Sequence, residues 1–583
     1  LRYFSTHKIL QPHWWLILWV VIGASCRFWN LTAKPVWIDE FATMVFSLGH
    51  RFTQVPINRV ISLDELIAPL KIAPVASSWD VAQVVVTDDL HPPIYFVLAN
   101  WWLHLFPATP DGYLSVWVAR SLPAIFGVIS ILGMYLLGKV AFKSELVAQL
   151  AAAFIAVSPY GIFIAQEARH YTLGVLLIIA SLICLAIALH HLSNSTSIPI
   201  WWVLRWIVIN ILALFTHYFA SISLAAQGLV LLWLLVRQWL YLGAIPPFNR
   251  QYWFRIILVA LGTGTGVIGW IKVWVQNYDS QLSAWIKGNP PFVLWLINPI
   301  VQLAASIITM LCLLPVEAPQ LWIIIASGLV MLLFLLWILP LLNRGLKYQW
   351  KEATTGLIAQ AFTGFVGCAI ALFWLVTYVL GYDITRGARY SFAYFPGVIL
   401  LIAISLAGVW RLNLTQTRFI KQKWQLPINS RQAIVIVWIM GLLGAMTVSN
   451  NLGYRKYYQP ELFIPQLQTS TSSQILIATT HNTLIQTGEM MGIAWEWRRT
   501  KGVSQPPQFL LAHQDTKECV SYDCEATKLL QATVAKIPKP LDLWLVNFNS
   551  PKVLDEQKCI NVSQGGFYGY GYEHFQCGTA QKS

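Results

Sequence analysis

Five short polar motifs interrupt an otherwise apolar chain of 583 residues. They are Asp39-Glu40, Asp88-Asp89-Leu90-His91-Pro92-Pro93, Gln166-Glu167-Ala168-Arg169-His170-Tyr171, Thr216-His217-Tyr218 and Asp383-Ile384-Thr385-Arg386-Gly387-Ala388-Arg389-Tyr390. Carboxylates such as Asp39 and Glu40 can act as general bases on a hydroxyl or orient an acceptor. Arginines such as Arg169, Arg386 and Arg389 can hold a phosphate bidentately and stabilise charge building on it as it leaves. His91, Glu167, His170, Tyr171, His217 and Tyr390 supply further polar contacts to a substrate. Each motif also admits a plainer role. Glu167 can simply pair with Arg169, the two later arginines can snorkel to headgroups, and His217 can be structural. His91-Pro92-Pro93 can be a turn, and Asp39-Glu40 a solvated pair. There is no GxxxxGK[ST] loop and no GxGxxG after a strand, which argues against nucleotide-driven pumping and dinucleotide chemistry. No convincing metal-ligand set is visible.

The elements that must position these motifs are membrane helices. Hydrophobic residues make up 57% of the chain and charged residues 11%, and mean hydropathy is +0.58. A soluble globular protein carries about 25% charged residues, so most of this chain cannot face water. A spanning helix needs about 20 mostly apolar residues. Segments near 13–31, 118–138, 146–165, 171–190, 200–216, 219–236, 256–275, 320–342, 356–380, 390–410 and 432–450 satisfy that length. Stretches near 93–106 and 293–316 are apolar but Pro-flanked, and either span or lie at the interface. The expected fold is a polytopic α-helical membrane protein with about 11–13 transmembrane helices. Residues 1–451, including a long loop at 32–92, form the membrane domain, and 452–583 form a small extracytoplasmic α+β domain. No internal repeat is evident, which weighs against transporters built from duplicated halves.

Charge sets the orientation. Net charge is +14, with 12 basic and 11 acidic residues from Leu452 onward and 27 basic and 14 acidic before it. The basic residues form clusters between apolar runs rather than one patch, so nucleic-acid binding is disfavoured. Placing Arg2/Lys8, Lys139/Lys143, Arg237/Arg250/Arg255, Arg344/Lys347/Lys351 and Arg411/Arg418/Lys421/Lys423/Arg431 in the cytoplasm puts the N-terminus inside and the tail outside. This requires that neither Pro-flanked stretch crosses singly. The acid-rich loop 32–92 and all five motifs then share the external side. Stretches 41–49 and 60–70 are expected as amphipathic helices on the membrane. Cys26, Cys184, Cys312 and Cys368 lie in apolar runs. Cys519, Cys524, Cys559 and Cys577 are confined to the tail, an even set that favours disulfides and an oxidising compartment over metal binding.

The motif order resembles the GT-C membrane glycosyltransferases. Asp-Glu follows the first helix, then come His-Pro-Pro-Ile-Tyr, Ser158-Pro159-Tyr160 leading to Gln-Glu-Ala-Arg-His-Tyr, and Arg389-Tyr390 before an apolar run. The likeness is to family 39, with its protein O-mannosyltransferase and lipid A aminoarabinose transferase relatives, and covers roughly residues 10–410. It implies a multi-pass plasma (inner) membrane enzyme of the cell envelope, transferring a sugar from a polyprenyl-phosphate donor to a lipid, glycan or protein acceptor. It implies catalysis by Asp39, with Glu40, Asp88, Asp89 or Glu167 in a second acidic role. The aminoarabinose-transferring relatives have Glu-Lys-Pro where this chain has His91-Pro92-Pro93. The resemblance maps donor phosphate onto Arg169 and Arg386/Arg389, and some such enzymes use a divalent metal. Two other classes fit the membrane character: a polysaccharide ligase or polymerase, and a lipid-linked-sugar transporter. A ligase would carry its basic groups in a large late external loop, and a transporter would show matched broken helices with midplane charges.

Overall fold

The computed structural model describes residues 12–72, 76–89, 91–242, 247–276, 285–287, 291–415, 417–419, 424–470, 474–500, 506–515, 519, 521 and 523–578. The chain divides into two compact units, one of residues 1–31, 90–95 and 120–454, the other of 32–89, 96–119 and 455–583. Of the residues used to set orientation, Arg2, Lys8, Lys421 and Lys423 lie outside those described.

The first unit is helical. Among the described residues nine helices are long and apolar enough to cross a membrane, or ten if the bent pair Glu145–Val157 and Pro159–Ala165 counts as one span. Two shorter apolar helices, His13–Phe28 and Ile200–Leu214, coincide with expected spans. The chain is a multi-pass membrane protein. The Pro-flanked stretch near 293–316 contains the helix Phe292–Thr309, which passes the same length and composition test. It packs against Pro159–Ala165 and the short turns at 384–386 and 388–393. The other stretch gives only the short helix Ile94–His104.

Without a hydrophobic drive between helices in lipid, close packing rests on small residues and buried hydrogen bonds. The helices Leu321–Trp350 and Phe395–Leu412 cross where Gly345 meets Gly408, and a Cβ on Gly408 would lie 2.8 Å from the Gly345 carbonyl carbon. The first helix is pinned by Arg27, fully buried, which donates to the carbonyls of Gly23, Ile155 and Ala156 at 2.9 Å each. A charge inside a bundle is thereby satisfied by backbone, and this one is a packing device.

The second unit is built on a six-stranded mixed sheet. In chain order its strands are β1 (Val60–Ile61), β2 (Gln474–His481), β3 (Gln508–His513), β4 (Leu541–Val546), β5 (Cys559–Phe567) and β6 (Tyr570–Cys577). Their spatial order is β1-β3-β2-β4-β6-β5, with β2 parallel to β3 and β4 and the remaining pairs antiparallel. Parallel neighbours require crossovers, supplied by the helices Leu484–Arg499 and Glu525–Lys536. Leu476, Ala478, Leu510, Ala512, Leu543 and Leu545 form the core beneath. Cys519–Cys524 and Cys559–Cys577 are disulfide-bonded, as the even cysteine set predicts, and the other four cysteines are free thiols.

The grouping differs from a cut at residue 452. Loop residues 32–89 belong with the tail because β1 pairs with β3, Val60 opposite Leu510 and Ile61 opposite Phe509, and the Asn58 N–H donates to the Leu511 carbonyl at 2.9 Å. The expected amphipathic helix at 41–49 overlaps the helix Ile38–Ser47, but its apolar face is not left for lipid. Phe41, Met44, Val45 and Phe46 are buried, and the helix packs on Leu484–Arg499, where Gly488 leaves room for Ile38. Stretch 60–70 is β1 followed by the one-turn helix Leu63–Leu66 and a 3-10 turn.

Candidate functional site

Within the first unit, three distant motifs are folded onto one another by helix breaks. Ser158 caps the helix Pro159–Ala165, accepting from the Gly161 N–H at 3.3 Å and donating to the Met310 carbonyl at 2.7 Å, and Pro159 occupies the first turn. This break bends the pair by 57°. The helix ends at Gln166, and the next begins at Tyr171, so Glu167–His170 form a buried turn. Gln166 is itself a cap for the first helix. Its Nε2 donates to the carbonyls of Cys26, Arg27 and Trp29 at 3.3, 3.3 and 2.9 Å. A helix end leaves such carbonyls without intrahelical partners, so the Gln of the motif serves structure while its neighbours face the site.

His170 is fully buried and packs on His217 at 4.5 Å between ring centroids and on His91 at 4.9 Å. His217, also fully buried, sits in the break between the helices Ile200–Leu214 and Ala220–Leu242, with Tyr171, Tyr218, Phe219, Tyr390 and Phe392 around it. Gly174 is needed beside this cage, since a Cβ there would come within 2.9 Å of the Phe392 ring. Arg169 Nη2 lies 3.2 Å from His91 Nε2, with its guanidinium over Tyr171. Arg389 stacks over Trp285 and Tyr390, and its carbonyl accepts from the Tyr160 hydroxyl at 2.9 Å. Burial, and then the neighbouring imidazoles and the guanidiniums of Arg169 and Arg389, hold His170 and His217 well below the usual imidazole range. Arg169 and Arg389 bring fixed positive charge to the cage, and the Glu167 carboxyl lies in its wall turn. Such a site favours an anion.

The structure sorts the sequence candidates. His91, Arg169, His170, Tyr171, His217 and Tyr390 share the cage, and Glu167 is buried in its wall turn. Arg386 differs from Arg389. It is exposed, pairs with Asp383 at 3.3 Å, and donates to the Trp285 carbonyl at 2.8 Å, which makes it a brace for the turn. Asp39 and Glu40 open the helix Ile38–Ser47 in the other unit, Asp39 half-buried and Glu40 fully buried. Asp88 is engaged in an ion pair with Arg51, and Asp89 is buried. Trp285 and Phe392 complete the cage and escaped the sequence reading, because isolated aromatics in an aromatic-rich chain carry no local signal.

A divalent metal is the first ligand to test against three histidines. Their ligand nitrogens lie within 4.8 Å of one another, the one such cluster of three or more His, Cys, Asp or Glu among the described residues. The hydrogen bonds do not fit it. A backbone N–H and a guanidinium can only donate, so His217 Nδ1, 3.1 Å from the Phe219 N–H, and His91 Nε2, 3.2 Å from Arg169 Nη2, are both acceptors. A neutral imidazole accepting at one nitrogen is protonated at the other. On His91 and His217 the lone pair a metal needs is therefore already turned to another donor.

Beside the cage runs an apolar cleft of about 490 Å³ between the helices Ile200–Leu214, Ala220–Leu242 and Pro247–Gln276. Leu214 and Ser221, which flank the His217 break, line one part of it, and Trp206, Leu231, Leu235 and Trp253 line the rest. The fold and site together define a multi-pass membrane protein with a buried histidine cage, flanked by Arg169 and Arg389, at its helix breaks.

No family model matches the chain, and no curated protein matches it. Among solved structures it is similar to ArnT from Cupriavidus metallidurans bound to undecaprenyl phosphate, at 12% identity over 96% of this chain and 98% of that one, with TM-score 0.49. It is also similar to the Archaeoglobus fulgidus oligosaccharyltransferase in complex with Zn and sulfate, at 13% identity over 82% and 61%, TM-score 0.44. A third likeness is to the S. cerevisiae protein O-mannosyltransferase Pmt1-Pmt2 complex bound to the sugar donor, at 14% identity over 47% and 35%, TM-score 0.33. Identities and scores of this size assign no activity.

Proposed function

We propose that this chain is an integral-membrane glycosyltransferase that moves a sugar from a polyprenyl-phosphate donor to an extracytoplasmic lipid, glycan or protein. The observation that carries the reading is the meeting of His91, Arg169, His170 and His217 at a helix break whose flanking residues Leu214 and Ser221 line an apolar cleft. A lipid phosphate needs both, since its isoprenoid chain stays in hydrocarbon while its head needs cations. Arg389 and Arg169 would bind the phosphate and take up charge as the glycosidic C–O bond breaks. Asp39 would accept the proton of the attacking hydroxyl or orient it, a role taken from the family resemblance. Arg386 would brace the turn that presents Arg389. In this reading, which requires that Phe292–Thr309 does not cross singly, the N-terminus is cytoplasmic and the disulfide-bonded unit lies outside the plasma membrane, in keeping with oxidised cysteines.

The test uses membranes carrying the protein and a polyprenyl-phosphate donor with a radiolabelled sugar. Label transferred to an acceptor supports the proposal. Label that only crosses the bilayer identifies a transporter, and transfer of preassembled glycans in place of single sugars identifies a ligase. Either of those outcomes refutes it.

A further inference from the structure

The His217 nitrogen on the far side of its acceptor is chemistry of the cage that the fold leaves open. His217 Nδ1 accepts from the Phe219 backbone N–H, so its proton sits on Nε2, and that atom is buried with no hydrogen-bond partner among the described residues. Leaving a buried donor unmet costs roughly 1–3 kcal/mol. Such a group calls for an explanation, and a bound ligand that takes up the hydrogen bond is one. His91, whose Nε2 accepts from Arg169, carries its proton on Nδ1 by the same logic. The rings of His91 and His217 are 5.6 Å apart, and Arg169 and Arg389 bear on both buried rings of the cluster.

We propose that His217 Nε2–H is a hydrogen-bond donor to a phosphate oxygen of the bound lipid headgroup, within a metal-independent cradle of neutral histidines and arginines. This rests on the polyprenyl-phosphate reading above and adds the binding atom, its tautomer and the exclusion of a histidine-bound metal. The division of labour follows from size and charge. Arginine supplies the fixed positive charge, and the imidazole supplies a directed donor that adds none, so the cage holds one phosphate without accumulating cations when empty. Phe219 N–H sets the tautomer, and because it is backbone no side-chain change at residue 219 other than proline removes it.

Binding of undecaprenyl phosphate, measured without sugar or acceptor, separates the contributions. His217→Phe keeps the ring volume and loses the donor, and affinity should fall about 10- to 100-fold, as for a hydrogen bond to a charged group. His217→Gln places an amide N–H near the Nε2 position and should stay within several-fold of the parent. Size-exclusion profiles and melting temperatures of the three proteins establish that the comparison is between folded molecules. The parent protein should also bind the lipid unchanged in EDTA and hold less than about one tenth of an equivalent of Zn²⁺ or Co²⁺ after reconstitution, whatever the variants do. Equal binding by parent and His217→Phe would overturn the inference while leaving the donor reading intact. One equivalent of Co²⁺ with a tetrahedral spectrum, lost in His217→Phe, would overturn it in favour of a metal centre. No binding by the parent would overturn both this inference and the donor reading.

Discussion

Arg389 and Arg386 are three residues apart, yet the structure gives them opposite roles, and lysine substitution should tell them apart. The Arg389 guanidinium carbon lies 5.1 Å from the Trp285 ring centre and 5.4 Å from that of Tyr390, an arrangement that holds its planar fork in place. Arg386 already spends its donors on the Asp383 carboxylate and the Trp285 carbonyl. Lysine keeps the charge in both places but loses the fork and the stacking surface. At residue 389 the loss of a charge-assisted phosphate contact is worth about 1.5–3 kcal/mol, or roughly 10- to 150-fold in rate or affinity. At residue 386 an exposed ion pair contributes at most about 1 kcal/mol, and lysine can keep part of it. Steady-state transfer with varied polyprenyl-phosphate sugar should therefore show Arg389→Lys reduced about 10- to 150-fold in kcat/KM for the donor. Arg386→Lys should stay within about fivefold. A fully active Arg389→Lys would mean that Arg389 is an interface anchor and that the phosphate is held elsewhere, first of all by Arg169, and a loss at 386 as large as that at 389 would refute the bracing role of Arg386.

Asp39→Asn should insert and express normally while losing about 10²–10⁴-fold in transfer, the range of general-base catalysis, and near-normal transfer would remove Asp39 from the mechanism. Gly408→Ala should lower the melting temperature in detergent with the cage intact, because its Cβ meets the Gly345 backbone, and overpacking costs about 1–3 kcal/mol. Burial pushes the Glu461 carboxyl up to about 7. A raised carboxylate pKa means stability that is full below about pH 4.5 and lost as pH rises through 7. Glu461→Gln should therefore be neutral near pH 4.5 and stabilising by about 1–2 kcal/mol near pH 8, a figure reduced for the solvent that reaches this group. A pH-independent difference in melting temperature would contradict that assignment. A cysteine placed near Ser470 should react with a membrane-impermeant reagent added outside and one near Gln349, at the exposed Lys351, should not, and the reverse pattern would invert the proposed orientation.

The amino-acid sequence by itself determined the class of molecule. Local composition decides whether a segment can lie in hydrocarbon, so the apolar runs, the helix lengths and the separate polar tail with its disulfides were legible one segment at a time. The motif residues were legible as well, because a charged or imidazole side chain stands out in an apolar run. Their partnerships were not. His91, His170 and His217 meet only because three helix breaks converge, and Gln166 turned out to cap a helix ending near Trp29. Arg386 and Arg389 look alike in sequence and are divided by what stands beside each, a carboxylate for one and two aromatic faces for the other. β1 is two residues long, too short to carry a period, and only its pairing with β3 assigns the acid-rich loop to the tail unit. Even the tautomer of His217 belongs to the tertiary structure, since it is set by where one backbone N–H points. Solvent preference is a property of a residue and its near neighbours, whereas hydrogen-bond direction and charge pairing exist only between groups that folding has brought within about 3 Å.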